Sequence, residues 1–347
     1  MKDSRFILDH THDELKAYIK SISEPSYRAD QIWESIYNKF AGSFEEIKGL
    51  PKHLLAKLSK ELDLSQLRPR IDLLSSDGWT RKILFDLPDG SQVESVLMGY
   101  EKRRTVCIST QAGCGLGCTF CATGQAGLQR NISAGEIIEQ VLFFDRILHK
   151  KKDKLTNIVM MGMGEPFANY NEVMKAIGIL TSPEGYNFGA RRITISTVGL
   201  VPIIKKFTEE HWQVNLAVSL HAATNELRET MLPINKKFPL GVLIPVCREY
   251  TEETHRRISF EWALIDGVND APEQAKLLAN LIKGMLCHVN LIPLNPTKGY
   301  NGKESNRKNI EKFRNILDKS GIPNTLRLRR GIDIHAGCGQ LRQYAKN

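Results

Sequence analysis

From Gln92 onward, short β-branched or apolar runs alternate with helical stretches, and this rhythm constrains the fold more than any other feature of the chain. The runs cover 105–110, 157–162, 192–196, 214–219, 258–265 and 288–293. Each gap is long enough for a crossover helix, so the pattern predicts βα units on a parallel sheet: an α/β fold, as a barrel or an open part of one. Ser133 and Glu136 form a capping box that starts a helix over 137–148. The first 65 residues read differently. Apolar positions recur with helical spacing in 13–22, 27–40 and 54–62, divided by polar breaks at 23–25 and 49–51. A small N-terminal helical accessory domain is therefore expected over 1–65, with the βα core over 66–347. The helical part is either a packing unit or a nucleic-acid-contacting module, and the sequence leaves the two even.

A chain of 347 residues can hold one large α/β unit and a small accessory domain. With 41% hydrophobic and 25% charged residues it is built to fold throughout. Its formal net charge of +9 favours a polyanionic partner, because each cation that neutralises a phosphate releases counterions. Residues 1–20 lack the apolar core of a secretory signal, and no run approaches the roughly 18 apolar residues of a membrane span. A cytoplasmic protein without a membrane partner is expected. Seven cysteines would stay reduced there, so the clustered ones point to metal binding or catalysis.

Three of these thiols, Cys114, Cys118 and Cys121, fall within eight residues in a glycine-rich segment after the run 105–110. Structural zinc takes four protein ligands. A cubane held by three cysteines instead leaves one iron free to chelate the amino and carboxylate groups of S-adenosylmethionine (SAM), and the C-x₃-C-x₂-C spacing favours that [4Fe–4S] reading. A zinc site completed by a distant residue, or thiols that are merely buried, are the other readings. Parallel βα folds bind ligands at the carboxyl ends of their strands. The segments that put polar residues there are Gly162-Met163-Gly164-Glu165, Ser196-Thr197, Ser219-Leu220-His221 and Asn295. Near the C-terminus Cys338 sits between Gly337 and Gly339, in a loop expected to be accessible and mobile. No dinucleotide fingerprint, P-loop or H-E-x-x-H motif occurs.

Taken together these segments resemble the RlmN/Cfr family of radical-SAM adenine methyltransferases almost end to end. The likeness lies in Tyr27-Arg28-Ala29-Asp30-Gln31-Ile32, Leu50-Pro51-Lys52, Val93-Glu94-Ser95-Val96-Leu97-Met98, the cluster segment, 162–166, 219–221 and 331–341. It implies a partial (β/α) barrel of the radical-SAM type, a [4Fe–4S] cluster on Cys114, Cys118 and Cys121, and two SAM molecules per turnover. One SAM methylates Cys338. The other is cleaved to a radical that takes hydrogen from the S-methyl group, so that the resulting methylene radical adds to an electron-poor adenine carbon. The resemblance makes Cys107 the thiol that attacks Cys338 and frees the product. It makes Glu94 the proton acceptor, a role that Cys107 could also fill, and it makes Gly164, Glu165, Ser196, Ser219, Leu220, His221 and Asn295 the SAM contacts.

The implied substrate is the peptidyl-transferase adenosine of 23S rRNA, with adenine 37 of some transfer RNAs, and a flavodoxin or ferredoxin as electron donor. Members of the RlmN branch methylate adenine C2, whereas Cfr-like members methylate C8. Pro166 after Glu165, and Leu294-Asn295-Pro296 after Pro293, follow the C2 branch. His335, Gly337 and Phe167 depart from the Asp, Ala and Leu usual in the family. The alternative from another class is a non-catalytic zinc-stabilised RNA-binding protein, which would leave Glu94 and the strand-end polar set without purpose.

Overall fold

The computed structural model describes residues 5–341; residues 1–4 and 342–347, at the ends of the two expected domains, lie outside it. Three helices come first: α1 (His12–Ser21), α2 (Tyr27–Tyr37) and α3 (Lys52–Glu61). Thr11 and Glu14 close a capping box on α1. These helices bury Leu15, Ile19, Ile32, Trp33, Ile36, Leu54 and Leu58 in a core that continues into the rest of the chain. The junction is tight. A Cβ on Gly135 would lie 2.6 Å from the Phe6 ring, and the Gly135 amide donates to Asp9 Oδ1 at 2.7 Å.

The strands and helices that follow are, in chain order, β1 (Arg68–Leu74), β2 (Thr80–Asp86), β3 (Gln92–Gly99), β4 (Arg104–Cys107), β5 (Gln111–Gly113), α4 (Ala122–Ala126), β6 (Leu128–Asn131), α5 (Ala134–Lys150), β7 (Asn157–Met160), α6 (Tyr170–Thr181), β8 (Ile193–Thr197), α7 (Val201–Glu209), β9 (Asn215–Ser219), α8 (Asn225–Met231), α9 (Leu240–Thr254), β10 (Ile258–Leu264), α10 (Pro272–Leu281), β11 (Cys287–Pro293), α11 (Arg307–Lys319) and β12 (Asn324–Leu326). Ten of the strands form one sheet in the order β1-β2-β3-β4-β7-β8-β9-β10-β11-β12. From β4 to β12 every pairing is parallel, with helices crossing between strands. The six runs expected from sequence are β4, β7, β8, β9, β10 and β11. The result is the expected α/β architecture, a mixed sheet whose parallel part carries helices between its strands.

Apolar residues drive the parallel part: β10 is buried along nearly its whole length. Ser133 and Glu136 cap α5 reciprocally, and that helix starts at Ala134. The β1-β2-β3 extension is antiparallel and joins the wall at β4. Outside the sheet, β5 and β6 pair around the cysteine segment. Among the described residues no helix is long and apolar enough to cross a membrane.

Candidate active site

The carboxyl ends of the parallel strands surround a cavity, and the cysteine segment closes one side of it. Gly113 enters that segment at φ +81°, where a Cβ would sit 2.0 Å from the Gly127 carbonyl oxygen, so only glycine lets the chain turn this closely. The Cys114 amide then donates to the Gly127 carbonyl at 2.9 Å. Cys118 and Cys121 line the cavity; Cys114 lies buried beside them. Burial raises the Cys114 thiol to about 11 and Cys118 well above its ordinary value, and the neighbouring thiols push in the same direction. These thiols feel one another's charge, yet among the described residues no three His, Cys, Asp or Glu side chains close onto a single-ion site. Three soft donors spread around a glycine cradle suit a multi-iron cluster, whose binding must expel their protons.

Opposite the thiols, strand ends supply the remaining wall. Gly164, at φ +100°, follows β7, and a Cβ there would lie 2.6 Å from Gln111 Cβ. Glu165 comes next and is buried; it accepts from the Phe167 amide at 3.0 Å and the Val198 amide at 2.9 Å. Burial still dominates and lifts its carboxyl to about 7. Ser196 on β8, Ser219 on β9, His221 and Asn295 also face the cavity, whereas Leu220 is packed in the core. Leu220 contributes main chain: its amide donates to the Glu261 carbonyl at 3.1 Å. His221 adopts φ +60°, and its Nδ1 accepts from the Ala263 amide at 2.9 Å. Burial, reinforced by the Arg228 cation, lowers its imidazole to about 3, so it stays neutral and sets its edge against the Phe120 ring at 5.0 Å. Polar side chains, a close backbone approach at Gly164 and an apolar floor fit the amino-acid and nucleoside parts of SAM.

Sequence reasoning missed the residues that hold this rim in place. Arg228 on α8 is fully buried and donates to the carbonyls of Val198 (2.7 Å), Leu220 (3.2 Å) and Ser219 (3.4 Å), tying the ends of β8 and β9 together. Asn269 joins β9 to β10 by donating to the His221 and Ala263 carbonyls at 2.8 and 2.6 Å. Glu261 in β10 lines the cavity, accepts from Asn290 at 2.9 Å, and has its carboxyl raised by burial to about 6. A carboxylate inside the apolar run 258–265 was the visible signal for it.

Cys338 faces the same cavity. Its residue is exposed to that space but surrounded by protein elsewhere, and this burial raises its thiol above the ordinary value. The expected mobile loop is pinned. Asn295 Nδ2 donates to the Cys338 carbonyl at 3.1 Å, the Ala122 amide to Gly339 at 2.8 Å, and Gln340 Nε2 to Pro296 at 2.9 Å. A Cβ on Gly337 would meet Asn295 at 2.5 Å, so glycine there lets the loop lie against β11's end. His335 sits at φ +50°, a conformation histidine tolerates better than bulky residues.

Cys107, in β4, lies behind the cavity wall. Burial raises its thiol to about 12, with Cys338 near enough to add to the shift and the Arg327 cation opposing it. Glu94, in β3, is fully buried and ion-paired with the equally buried Lys82 Nζ at 3.0 Å. Lys82 also donates to the His335 carbonyl at 3.3 Å, which links the carboxylate to the Cys338 loop. Of the three expected catalytic residues, then, Cys338 lines the cavity, while Cys107 and Glu94 stand in the sheet behind it.

A model of the Radical SAM superfamily matches residues 108–283, and one described as ribosomal RNA large subunit methyltransferase N-terminal domain matches 7–64. The Dual-specificity RNA methyltransferase RlmN 1 of Myxococcus xanthus is 46% identical across 97% of this chain and 94% of its own. A probable dual-specificity RNA methyltransferase RlmN of Clostridium perfringens is 47% identical across 98% of each chain. The crystal structure of a radical SAM methyltransferase from Sphaerobacter thermophilus, 49% identical, superposes with a TM-score of 0.95 over 97% of this chain and 98% of that one.

Proposed function

The chain belongs to the RlmN-type radical-SAM RNA methyltransferases, and from that premise we propose that it makes 2-methyladenosine at the peptidyl-transferase adenosine of 23S rRNA and at adenine 37 of transfer RNAs. A radical-SAM enzyme uses a [4Fe–4S] cluster and SAM, which together supply a 5′-deoxyadenosyl radical on reduction. Cys114, Cys118 and Cys121 are the proposed cluster ligands. Gly164, Glu165, Ser196, Ser219, His221 and Asn295 are the proposed SAM contacts, with Leu220 contributing through its backbone. Glu165 would accept the SAM ammonium.

One observation carries this reading: Cys338 opens onto the cavity that holds the cysteine segment, and a second thiol, Cys107 in β4, is near enough for Cys338 to raise it. A thiol so placed can take a methyl group from one SAM and pass the carbon to a base. Once the adduct has lost its ring proton and one electron, which the cluster would take back, Cys107 attacks Cys338 Sγ. The S–CH2 bond breaks, and its electron pair goes to the methylene carbon, which takes a proton to become the methyl group. The RNA is freed as the disulfide forms; external thiol reduces the pair for the next turnover. Glu94, held by Lys82, is the proposed acceptor for the proton leaving the adduct carbon.

Pro166 opens a short helix over Pro166–Asn169 and sets Glu165 at its N-cap, while Pro293 and Pro296 flank Asn295. These prolines support the C2 branch by likeness of sequence. Residues 1–65 are proposed as an accessory domain that contacts RNA, in a cytoplasmic enzyme reduced by a flavodoxin or ferredoxin. Nucleoside mass spectrometry of a 23S rRNA fragment after turnover tests the assignment. 2-Methyladenosine is the expected product; 8-methyladenosine as sole product would place the chain with the C8 enzymes.

A further inference from the structure

Two cavities meet at Cys338. The first is the one described above. The second is smaller and is lined by Met98, Gly337 and the basic run Arg327, Leu328, Arg329 and Arg330. Cys338 and Asn295 line both. A thiol that lines two cavities can face a cofactor in one and an incoming base in the other, and the residues around the second cavity show what would bring that base.

Arg330, which lines the second cavity, lies over two aromatic rings: Trp79 at 5.5 Å and Tyr100 at 4.9 Å from their centroids. Arg103 stacks on Tyr100 at 4.3 Å and Arg104 on Trp79 at 5.7 Å. Trp79 is 40% exposed, an unusual position for so large an apolar ring. Acids stand among these cations, including Glu101 beside Lys102 and Asp333, which accepts from the Ser76 amide at 2.8 Å. Arg104 pairs with Asp153 at 2.6 Å, Arg330 with Asp77 at 3.5 Å, and Arg329 with Glu304. Lys102 and Arg103 are exposed and have no ion pair among the described residues. Arg329 and Arg330 each keep a buried Nε–H without a hydrogen-bond partner.

Interleaved arginines and exposed rings on an otherwise solvated edge could simply brace one another. That account leaves unexplained the unpartnered Nε–H groups and the direct passage from Arg330 to Cys338. Enzymes that work on a base in RNA must draw it from its stack, and the nucleotides on either side then need support. Aromatic faces carry bases with little regard to sequence, and guanidinium groups carry phosphates.

We propose that Trp79, Tyr100, Arg103 and Arg330 form a platform for the nucleotides flanking the target adenosine, with the adenine entering through the second cavity. The assignment rests on the reading of the chain as an RNA methyltransferase. Phosphates would contact Lys102, Arg103 and Arg330 while a neighbouring base stacks on Trp79. Trp79, Tyr100, Arg103 and Arg330 lie outside the proposed SAM wall and cluster ligands, which the second cavity meets at Asn295.

The test uses cluster-reconstituted full-length protein and a fluorescently labelled hairpin of 23S rRNA, with binding followed by anisotropy across a salt series. Trp79→Ala should weaken binding at least about fivefold, and Trp79→Phe should restore most of the loss. Arg103→Glu should weaken binding and flatten the plot of log affinity against log salt by about one unit for each phosphate that the variant no longer neutralises. Iron content reports an intact fold in every variant. Parental affinity and salt slope in both Trp79→Ala and Arg103→Glu would overturn the platform alone. Failure of the parent chain to bind and methylate the hairpin would overturn the enzymatic reading and the platform with it.

Discussion

The Lys82–Glu94 pair offers a demanding test of the site, because both groups are almost completely buried, at 3% and 0% exposure, and lie 3.0 Å apart. Attraction between such charges is offset by the cost of removing them from water, so the intact pair adds little net stability. Removing one partner is different. Lys82→Met leaves a buried carboxylate without its cation and also deletes the bond to the His335 carbonyl, and the expected loss is about 3–5 kcal/mol. Glu94→Gln strands the ammonium and should cost an amount of the same order. The double variant removes both charges and should return to within about 1–2 kcal/mol of the parent, since a neutral pair leaves no uncompensated charge.

Urea unfolding of the four proteins, cluster-reconstituted and under reducing anaerobic conditions, gives the coupling energy from the double-mutant cycle. A coupling of about 3 kcal/mol or more is expected, more than a hundredfold in the folding equilibrium. If the single variants each lost under about 0.5 kcal/mol and their effects simply added, the two charges would not depend on each other, and the argument for a held carboxylate would fail. Lys82→Met should also slow RNA release, because it removes the side chain that holds Glu94 and ties it to the Cys338 loop through the His335 carbonyl.

The remaining expectations concern the cluster, the SAM wall and the thiols. Cys114→Ala, Cys118→Ala and Cys121→Ala should each abolish the iron–sulfur absorbance and reductive SAM cleavage; stoichiometric zinc without iron in the parent would contradict the ligand set. Gly164→Ala puts a Cβ 2.6 Å from Gln111 at φ +100°, and it should weaken SAM binding by at least about tenfold in calorimetry, from a strain of roughly 1–3 kcal/mol. Unchanged affinity would remove Gly164 from the cradle. Because burial holds the Cys107 thiol near 12, only a small fraction is thiolate at neutral pH. Single-turnover RNA release should therefore rise about tenfold per unit from pH 7 to 9, and a flat profile would show that Cys107 is activated in some other way.

The parallel wall was legible because each of its long strands is an apolar run between helices, and burial on both faces requires that pattern. The antiparallel extension was not. β1 is mostly exposed, carries Arg68, Arg70 and Asp72, and alternates only over its short second half. β12 is three residues long. The thiols, Glu165 and the strand-end serines could be placed because strand ends are where ligands bind in such folds. Nothing in the sequence singles out Arg228 or Lys82; only tertiary packing shows that one bridges two strand ends and the other holds Glu94. The pinning of the Cys338 loop was equally invisible, since it depends on Asn295, Ala122 and Gln340 meeting from separate parts of the chain.

The central claim is that carbon passes to RNA through Cys338 and that Cys107 frees the product. Incubating the reconstituted Cys107→Ala variant with SAM, reductant and labelled 23S rRNA hairpin, then resolving it on a denaturing gel, tests that claim most directly. A protein–RNA species stable to denaturation is expected in Cys107→Ala and absent from Cys107→Ala/Cys338→Ala, with peptide mapping placing the link at Cys338. Turnover by Cys107→Ala at the parental rate, or an adduct that survives loss of Cys338, would contradict it.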